Sequence, residues 1–395
     1  MSSGPGQPRR RRRHLWHRPL VTETGIDELG RPLGVPARDP LLAVRPPGAP
    51  PTDVLCAGTV FYDLVFTGLD GPPEPGRERW TAGMGSSPGG VANLAVALRR
   101  LGLQTSLAAC FGEDRYGDYC WETLAGQEGV DLRLSRRCPG WHSPVTVSLA
   151  YDRDRALVTH GHEPPLTSDQ LMTDPPSARA AVVSLGTEPA GWAQAAAAGG
   201  TLVLADVGWD PSGAWPDSVL DQLGWCHAFL PNDAEAMRYT RTDSPEAALS
   251  RLADRVPVAV VTLGAGGAVA VDQSTGESVR VPRVTVDALD PTGAGDVFLA
   301  GFTTATLAGW PLVQRLRFAA LTAALAVRHF GGSLAAPGWA DVDAWWRAAR
   351  SNDLAGEVDA AAYGFLDDVI PVPGPAETAR DLTRASPTIG YRPPN

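Results

Sequence analysis

The sequence predicts an α/β fold in which a mostly parallel central sheet is covered by helices on both faces. Short β-branched and apolar runs without polar alternation are typical of strands that are buried on both faces. Ala- and Leu-rich segments with helical periodicity separate these runs, as expected for helices that connect parallel strands. More polar segments near residues 64–85 and 145–158 predict a small β lid over one end of the body.

The apolar runs predict seven strands, in chain order Val54–Val60, Thr105–Cys110, Val145–Ala150, Ala181–Leu185, Thr201–Ala205, Ala228–Leu230 and Val258–Leu263. The periodic segments predict helices over Val91–Leu101, Asp118–Gly126, Ala190–Ala198, Ala234–Tyr239, Pro245–Arg255, Asp296–Leu307 and Leu312–His329. This alternation of strand and helix favours one large α/β domain.

Composition divides the chain into three regions. Residues 1–50 are rich in Gly, Pro and Arg, and we expect them to form a disordered basic arm. Residues 51–350 form the predicted folded domain, and residues 351–395 form a Pro-containing tail that is partly docked or disordered. The arm has a formal charge of +5 and the remaining chain −15. Because the acidic body would repel a polyanion, nucleic-acid binding is disfavoured.

The residue types that are missing exclude several chemistries. The 395 residues include 34 Arg and no Lys, which excludes a P-loop phosphate site, a pyridoxal Schiff base and a lysine general base. Any phosphate must therefore be bound by Arg, by backbone N–H groups or by metal. Five scattered Cys without a C-x-x-C pair favour reduced thiols in a cytoplasmic protein over a disulfide framework or a zinc site. No apolar run reaches the roughly 18 residues that a membrane span requires.

The segment Asp290–Asp296 carries the strongest chemical signal. Small residues at Gly293, Ala294 and Gly295 let the backbone turn tightly next to a ligand. A helix that begins there would present unpaired N–H groups and its positive dipole end to an anion. Asp296 in the first turn could then accept a proton from a hydroxyl that attacks a bound phosphoryl group. The structural alternative is a Gly-rich turn that starts a helix.

This segment resembles the second signature of the PfkB/ribokinase family of carbohydrate kinases. The matching residues are Asp290, Gly293, Ala294, Gly295, Asp296, Ala300 and Gly301. Segment 87–95, with the later Leu101-Gly102, is similar to the first family signature, except that Val91 stands where a small residue or Pro is usual. The resemblance covers roughly residues 53–345. It implies a ribokinase-like three-layer αβα sandwich with a mostly parallel central sheet and a small β lid.

The resemblance also implies an activity and a set of site residues. The implied reaction is ATP-dependent phosphorylation of a hydroxyl on a sugar or sugar-like molecule, with Asp296 as general base and an anion hole at 293–296. Asp63, Gly89, Gly90 and Asn93 would bind the substrate, and Asn232, Glu235, Thr262, Gly264 and Gly267 would bind the nucleotide. Glu235 would position Mg²⁺ through water, and Asp290 and Thr292 would contribute to a monovalent cation site of the K⁺ type. Helix caps and tight turns are the structural alternatives for these residues.

Two other functions stay open from the sequence. A nucleoside kinase of the same fold is the alternative within the class, because the fold accommodates ribosides. A non-catalytic sugar- or nucleotide-binding sensor is the alternative outside it, although Asp296 in a fully matching signature argues for catalysis. A nicotinamide dehydrogenase is disfavoured, since no G-x-G-x-x-G follows a predicted strand. The lid also offers a surface for a homodimer, and no membrane partner is expected.

Overall fold

The computed structural model describes residues 48–151, 154–351, 359–370 and 390–391. Of the predicted arm, only residues 48–50 belong to this part, and much of the predicted tail also lies outside it. The strands are β1 Thr52–Ala57, β2 Val60–Thr67, β3 Gly83–Gly90, β4 Thr105–Ala108, β5 Cys110–Gly112, β6 Arg136–Cys138, β7 Val145–Tyr151, β8 Asp154–His160, β9 Ala178–Leu185, β10 Leu202–Val207, β11 Ala228–Phe229, β12 Val258–Thr262, β13 Ala268–Asp272, β14 Glu277–Val281 and β15 Gly390–Tyr391. The α-helices are α1 Val91–Arg100, α2 Arg115–Trp121, α3 Ser168–Leu171, α4 Gly191–Ala198, α5 Asp217–Asp221, α6 Asp233–Thr240, α7 Pro245–Ala253, α8 Ala294–Leu307, α9 Leu312–Ala326, α10 Trp339–Arg350 and α11 Leu366–Val369.

The central sheet has eight strands in the order β14-β13-β12-β11-β10-β9-β1-β4. Six neighbouring strands of this sheet run parallel, namely β12, β11, β10, β9, β1 and β4. Strands β13 and β14 add an antiparallel hairpin at one edge. Parallel strands need crossover connections, and here the helices between them provide these connections. Because the strands from β9 to β12 are parallel, their carboxyl ends lie along one edge of the sheet.

Helices cover both faces of this sheet and create two apolar cores. One core combines α1, α8, α9 and α10 with inward-facing strand residues such as Val54, Val182 and Val260. The other core combines α4, α6 and α7 with residues from the opposite face, such as Leu55, Val183 and Val261. Neighbouring strand residues thus alternate between two buried faces, which explains the continuous apolar runs in the sequence. The predicted three-layer αβα arrangement is confirmed.

A second sheet forms the predicted lid, with the strand order β15-β3-β2-β7-β8. The apolar run predicted as one strand over Val54–Val60 ends earlier, because β1 stops at Ala57 and β2 starts at Val60. The break at Gly58-Thr59 allows the chain to leave the central sheet and enter the lid. β2 then pairs antiparallel with β3 and parallel with β7, so one lid strand connects two separate parts of the sequence.

Several smaller features complete the fold. Segment 359–370 packs on the body, with Tyr363 and Leu366 buried in the core beside α9 and α10. All five cysteines are buried and unpaired. Among the described residues, no helix has both the length and the apolar character that a membrane crossing demands.

Helices α8 and α9 pack against each other, and Gly301 lies at their contact. A Cβ atom at position 301 would overlap the Thr322 hydroxyl and lie 3.0 Å from the Cα atom of Ala319. Glycine is normally unfavourable inside a helix by about 1 kcal/mol relative to alanine. Its presence in α8 is therefore explained by the close approach of α9.

We expect Gly301→Ala to destabilise the protein despite the higher helix propensity of alanine. The new methyl group forces α8 and α9 apart, and overpacking of this kind costs about 1–3 kcal/mol. Gly224→Ala is the matched control, since a Cβ atom there meets nothing within 4 Å. Thermal and urea unfolding should show a lower stability for Gly301→Ala alone. Equal stability of the two variants would contradict this account of the helix contact.

Candidate active site

The candidate site lies at the carboxyl ends of the central parallel strands. Asp206 is near the end of β10, Asn232 follows β11, and Thr262 ends β12. The amino-terminal ends of α1 and α8 carry the substrate-side candidates, Asn93 and Asp296. Ligands of open α/β sheets bind in the crevice outside the carboxyl ends of the strands. The fold thus places residues that are far apart in the sequence along the edge where a ligand is expected.

Helices α1 and α8 both begin without a capping side chain. Their N-cap residues are Gly90 and Gly293, with φ angles of 62° and 76°, and neither helix has a side-chain cap hydrogen bond. In α8 the Ala294 N–H group donates to the Pro291 carbonyl over 3.2 Å. Within the described residues, no backbone acceptor pairs with the N–H groups of Gly295 and Asp296. Two donors at the positive end of α8 are therefore available to an anion.

The third residues of these two helices meet in a hydrogen bond. The Asn93 side chain donates from Nδ2 to Oδ2 of Asp296 over 3.0 Å, across 203 positions of sequence. A Cβ atom at position 293 would lie 3.1 Å from Cγ of Asn93, so the glycine at the start of α8 leaves room for this contact. The hydrogen bond fixes the orientation of the Asp296 carboxylate and leaves its other oxygen open to a second partner.

Two buried polar atoms next to this pair lack hydrogen-bond partners in the described part of the chain. They are Oδ1 of Asn93 and the hydroxyl of Ser87, and both residues are at least 95% buried. A buried polar atom without a partner costs about 1–3 kcal/mol, so such atoms are rarely left in a protein interior without a reason. Both fit the polar groups of a bound ligand. Ser87 was not singled out from the sequence, although it begins the segment that resembles the first family signature.

The electrostatic surroundings of Asp296 favour a proton acceptor that works near neutral pH. Burial raises the pKa of the Asp296 carboxyl to about 6, while the hydrogen bond from Asn93 opposes this rise. The side chain is half-buried, so it remains accessible to a ligand in the cleft. A carboxylate with this pKa is ionised at pH 7 and has a higher proton affinity than an ordinary aspartate.

The lid provides the next carboxylate, Asp63. It lies on β2 opposite Ser87 of β3, and thus belongs to the lid sheet. A Cβ atom at position 89 would overlap the Asp63 carboxylate, and one at position 90 would overlap the Thr59 carbonyl. Gly89 and Gly90 therefore allow β3 to pass close to Asp63. The substrate-side residues expected from the sequence are brought together along β2, β3 and α1.

The nucleotide-side pair, Asn232 and Glu235, forms the start of α6. The Asn232 side chain accepts from the Glu235 N–H group over 2.9 Å, and the Glu235 carboxylate accepts from the Asn232 N–H group over 3.1 Å. This reciprocal pair is a capping box, which was the structural alternative for these residues. One carboxylate oxygen of Glu235 makes the cap bond, and burial raises the pKa of this carboxyl.

Asp206 joins Glu235 and Asp296 in a group of three interacting carboxylates. Burial raises the pKa of Asp206 well above its usual range, and the charges of Glu235 and Asp296 raise it further. Carboxylates that repel one another in a cleft are stabilised by a divalent cation, and Mg²⁺ prefers such oxygen ligands. In the sequence, Asp206 directly follows the predicted strand Thr201–Ala205 and was not a candidate site residue. An acid at the carboxyl end of a buried parallel strand is the signal that could have found it.

The loop after β12 lies next to this group. Thr262 forms a parallel bridge with Asn232, which places the two predicted nucleotide-side segments side by side. Gly264 and Gly267 have φ angles of 52° and 89°. A Cβ atom at position 267 would also overlap the Val281 carbonyl. The conformation of this loop therefore requires glycine at both positions, whether or not a nucleotide contacts them.

Asp290 anchors the segment that precedes α8. Its carboxylate accepts from the Thr292 N–H group over 2.9 Å and from the Gly331 N–H group over 3.4 Å, and the side chain is buried. A Cβ atom at position 332 would lie 3.1 Å from Oδ1 of Asn93. The anchor thus holds the glycine loop at 331–332 against the Asn93 side of the site.

Comparisons with known proteins identify the family and the fold. The model of the pfkB family of carbohydrate kinases matches residues 51–338. The bifunctional protein HldE of Shewanella sediminis is 27% identical over 301 residues, which cover 71% of this chain and 61% of that protein. The chain therefore spans less than two thirds of the length of HldE. A nucleoside kinase of Methanothermobacter thermautotrophicus is 28% identical over 291 residues, which cover 71% of this chain and 90% of that enzyme.

A solved structure of Arabidopsis thaliana ribokinase complexed with ribose and ATP superimposes with a TM-score of 0.63. It is 23% identical and covers 75% of this chain and 98% of that chain. At this identity the likeness shows a shared fold.

We expect Asn93→Ala to raise the pKa of the Asp296 carboxyl above its value of about 6. The substitution removes the hydrogen bond that favours the ionised form, while burial continues to disfavour it. The pKa can be measured by carbon NMR on aspartate-labelled protein, with Asp296→Asn to assign the signal. Ser87→Ala is the control, because it removes a neighbouring polar group and keeps the hydrogen bond. An unchanged or lowered pKa in Asn93→Ala would contradict the described electrostatics.

Proposed function

The chain belongs to the pfkB family of carbohydrate kinases, and from that premise we propose that it transfers the γ-phosphoryl group of ATP to a hydroxyl of a sugar or sugar-like molecule. The observation that carries this proposal is the contact between the two helix N-termini, where Asn93 holds Asp296 next to unpaired N–H groups. A proton acceptor beside an anion site is the combination that phosphoryl transfer to a hydroxyl requires.

Asp296 is the general base in this proposal. The substrate oxygen forms a bond to the γ-phosphorus, and the bond from this phosphorus to the bridging oxygen breaks, so that ADP leaves with the electron pair. The proton of the attacking hydroxyl passes to the Asp296 carboxylate. The pKa of about 6 supports this role, because the carboxylate is ionised at pH 7 and still has a raised affinity for the proton.

The start of α8 provides the anion hole in a chain without lysine. The N–H groups of Gly295 and Asp296 stabilise charge on the transferring group, together with the dipole of the helix. Gly293 and Ala294 shape the turn that exposes them, since Gly293 adopts a left-handed conformation and Ala294 is bonded to Pro291. Phosphate binding at this position uses the backbone and needs no cationic side chain.

The substrate side of the proposal consists of Asp63, Asn93 and the glycine pair at 89–90. A carboxylate can accept hydrogen bonds from two adjacent hydroxyls at once, which suits the buried Asp63 for a sugar ring. The unpartnered Oδ1 of Asn93 can accept a further hydroxyl. Gly89 and Gly90 keep the lid strand close enough for such contacts.

The nucleotide side consists of Asn232, Glu235 and the loop that contains Thr262, Gly264 and Gly267. The carboxylates of Asp206, Glu235 and Asp296 fit a divalent cation, and Glu235 would contact Mg²⁺ through water because Mg²⁺ dehydrates reluctantly. When bound, Mg²⁺ neutralises the phosphate charge of ATP. The capping box holds the Glu235 carboxylate at the start of α6, where its charge acts on Asp206.

Asp290 and Thr292 are proposed to contribute to a monovalent cation site of the K⁺ type. The buried Asp290 carboxylate accepts from the Thr292 and Gly331 N–H groups, which places an anionic group beside the loop at 331–332. A cation there would stabilise the segment that leads into α8, and so the anion hole itself.

A nucleoside as the phosphate acceptor is the second candidate, supported by the 28% identity to an archaeal nucleoside kinase. A non-catalytic sensor is disfavoured by the ionised, hydrogen-bonded Asp296.

We further propose a homodimer through the lid, where Leu157 and Val158 are 54% and 62% exposed on the edge strand β8. The five unpaired cysteines support a reducing, cytoplasmic location.

ADP release across hexoses, pentoses, their phosphates and nucleosides tests the proposed reaction. With the acceptor that gives the highest rate, we expect Asp296→Asn to lower turnover by at least about 100-fold, the lower end for loss of a general base. Nucleotide binding should be retained, because the backbone donors remain. Asp217→Asn is the matched control. Asp217 lies in the exposed first turn of α5, and this variant should keep the turnover of the wild type. No ADP release with any acceptor would support the sensor, and full turnover in Asp296→Asn would contradict the assigned base.

A further inference from the structure

We propose that His142, His160 and His162 form a binding site for a divalent transition metal ion of the zinc class. Each imidazole offers one nitrogen, and these nitrogens lie within 4.8 Å of one another. The site is at the base of the β7–β8 hairpin of the lid and involves none of the residues proposed for phosphoryl transfer. The sequence did not indicate this site. His160 and His162 lie 18 and 20 positions after His142, and this spacing does not by itself indicate a metal site.

The pairing of β7 and β8 brings the three histidines together. His160 is the last residue of β8 and pairs with Val145, the first residue of β7, so it lies beside the segment that leads into β7. Gly161 then lets the chain pass close to this segment, because a Cβ atom there would lie only 2.7 Å from Cβ of Pro144. His142 and His162 consequently reach the same side of the hairpin base.

The three rings are in direct contact. His142 and His160 stack with their centroids 5.0 Å apart and an angle of 11° between the ring planes. His162 stands edge-on to both, at 4.9 Å from His142 and 5.5 Å from His160. The three rings thus offer three imidazole nitrogens within 4.8 Å of one another. His160 and His162 are exposed, so an ion can enter from solvent.

His142 already has the orienting contact that metal-binding histidines usually show. Its Nδ1 atom lies 3.2 Å from the Ser143 carbonyl oxygen, and since a carbonyl can only accept, Nδ1 carries the proton and Nε2 offers its lone pair. Ser143 is buried and held on both sides. Its N–H group donates to Asp114 over 2.6 Å, and its hydroxyl accepts from the Gly112 N–H group over 3.0 Å.

The ligand set selects the class of ion. Imidazole nitrogen suits Zn²⁺, Co²⁺, Ni²⁺ and Cu²⁺, whereas Mg²⁺ and Ca²⁺ prefer oxygen ligands. Zinc binds histidine nitrogen at about 2.0–2.1 Å, which places tetrahedral ligands about 3.4 Å apart. The nitrogens lie up to 4.8 Å apart, so metal binding requires rotation of the exposed His160 and His162 rings toward the ion. Three protein ligands leave the fourth position to water.

The ion would join the chain before β7 to the end of β8 and so close the base of the hairpin. Val145 also pairs with Tyr62 of β2, next to the proposed substrate ligand Asp63. The metal would therefore fix the start of β7, which lies beside β2 and the proposed substrate side. This role is structural and does not depend on the proposed phosphoryl transfer.

Cobalt titration of the untagged full-length chain tests the site directly. We expect visible absorption bands of four-coordinate Co²⁺ that saturate at one equivalent, disappear on addition of Zn²⁺ and persist in excess Mg²⁺. His160→Ala and His162→Ala should each weaken Co²⁺ binding by at least about 10-fold, the lower limit for disturbing a ligand shell. Zn²⁺ should raise the melting temperature of the wild type and have no such effect in the double variant.

The control is His14→Ala combined with His17→Ala, which removes the two histidines of the N-terminal region and should leave the one-equivalent signal intact. Because His160 and His162 are exposed, the variants should keep the wild-type melting temperature in EDTA. Absence of saturable Co²⁺ binding by the wild type would overturn the proposal. Unchanged binding in the His160→Ala/His162→Ala variant would overturn it as well.

Discussion

The hydrogen bond between Asn93 and Asp296 is the contact on which the candidate site depends. It joins two helices that both begin at a glycine without a capping side chain. A capping side chain would satisfy the first-turn N–H groups and occupy the space that a phosphate needs. The absence of these caps leaves the donors of α8 open, while the Asn93 amide orients the carboxylate beside them. The proposed anion site and the proposed proton acceptor would thus lie at the same helix end.

The proposed arrangement explains how a chain without lysine could bind phosphate. A phosphate site made of backbone N–H groups, a helix dipole and a carboxylate-bound cation needs no ammonium group. Burial and the charges of Glu235 and Asp296 raise the pKa of Asp206, so this carboxyl binds a proton more readily than an ordinary aspartate does. The Mg²⁺ that we propose to accompany the nucleotide would reduce the repulsion within this group.

Local sequence patterns were sufficient for the six parallel strands of the central sheet and for helices such as α1, α8 and α9, whereas the roles of the site residues stay predictions. The helix predicted over Val91–Leu101 is α1, and the small residues before Asp296 begin α8. The prediction of one strand over Val54–Val60 was wrong, because the chain breaks at Gly58-Thr59 and continues as β2 in the separate lid sheet. Asp206 and Ser87 were missed as candidates, because the residues next to them, such as Glu235 and Asp296 beside Asp206, lie on other elements of the fold. The three lid histidines meet only through the register of β7 and β8, which sequence spacing does not contain.

The pH dependence of kcat/KM tests most directly whether Asp296 is the proton acceptor. With the best acceptor at saturating ATP, the account predicts a rate that is level at neutral pH and falls as the pH drops through about 6. The fall follows from the raised pKa, because the protonated carboxyl cannot accept the substrate proton. Below a pH of about 6, kcat/KM should fall by close to tenfold per pH unit as long as the protein stays folded. A rate that stays level down to pH 5 would contradict the central claim.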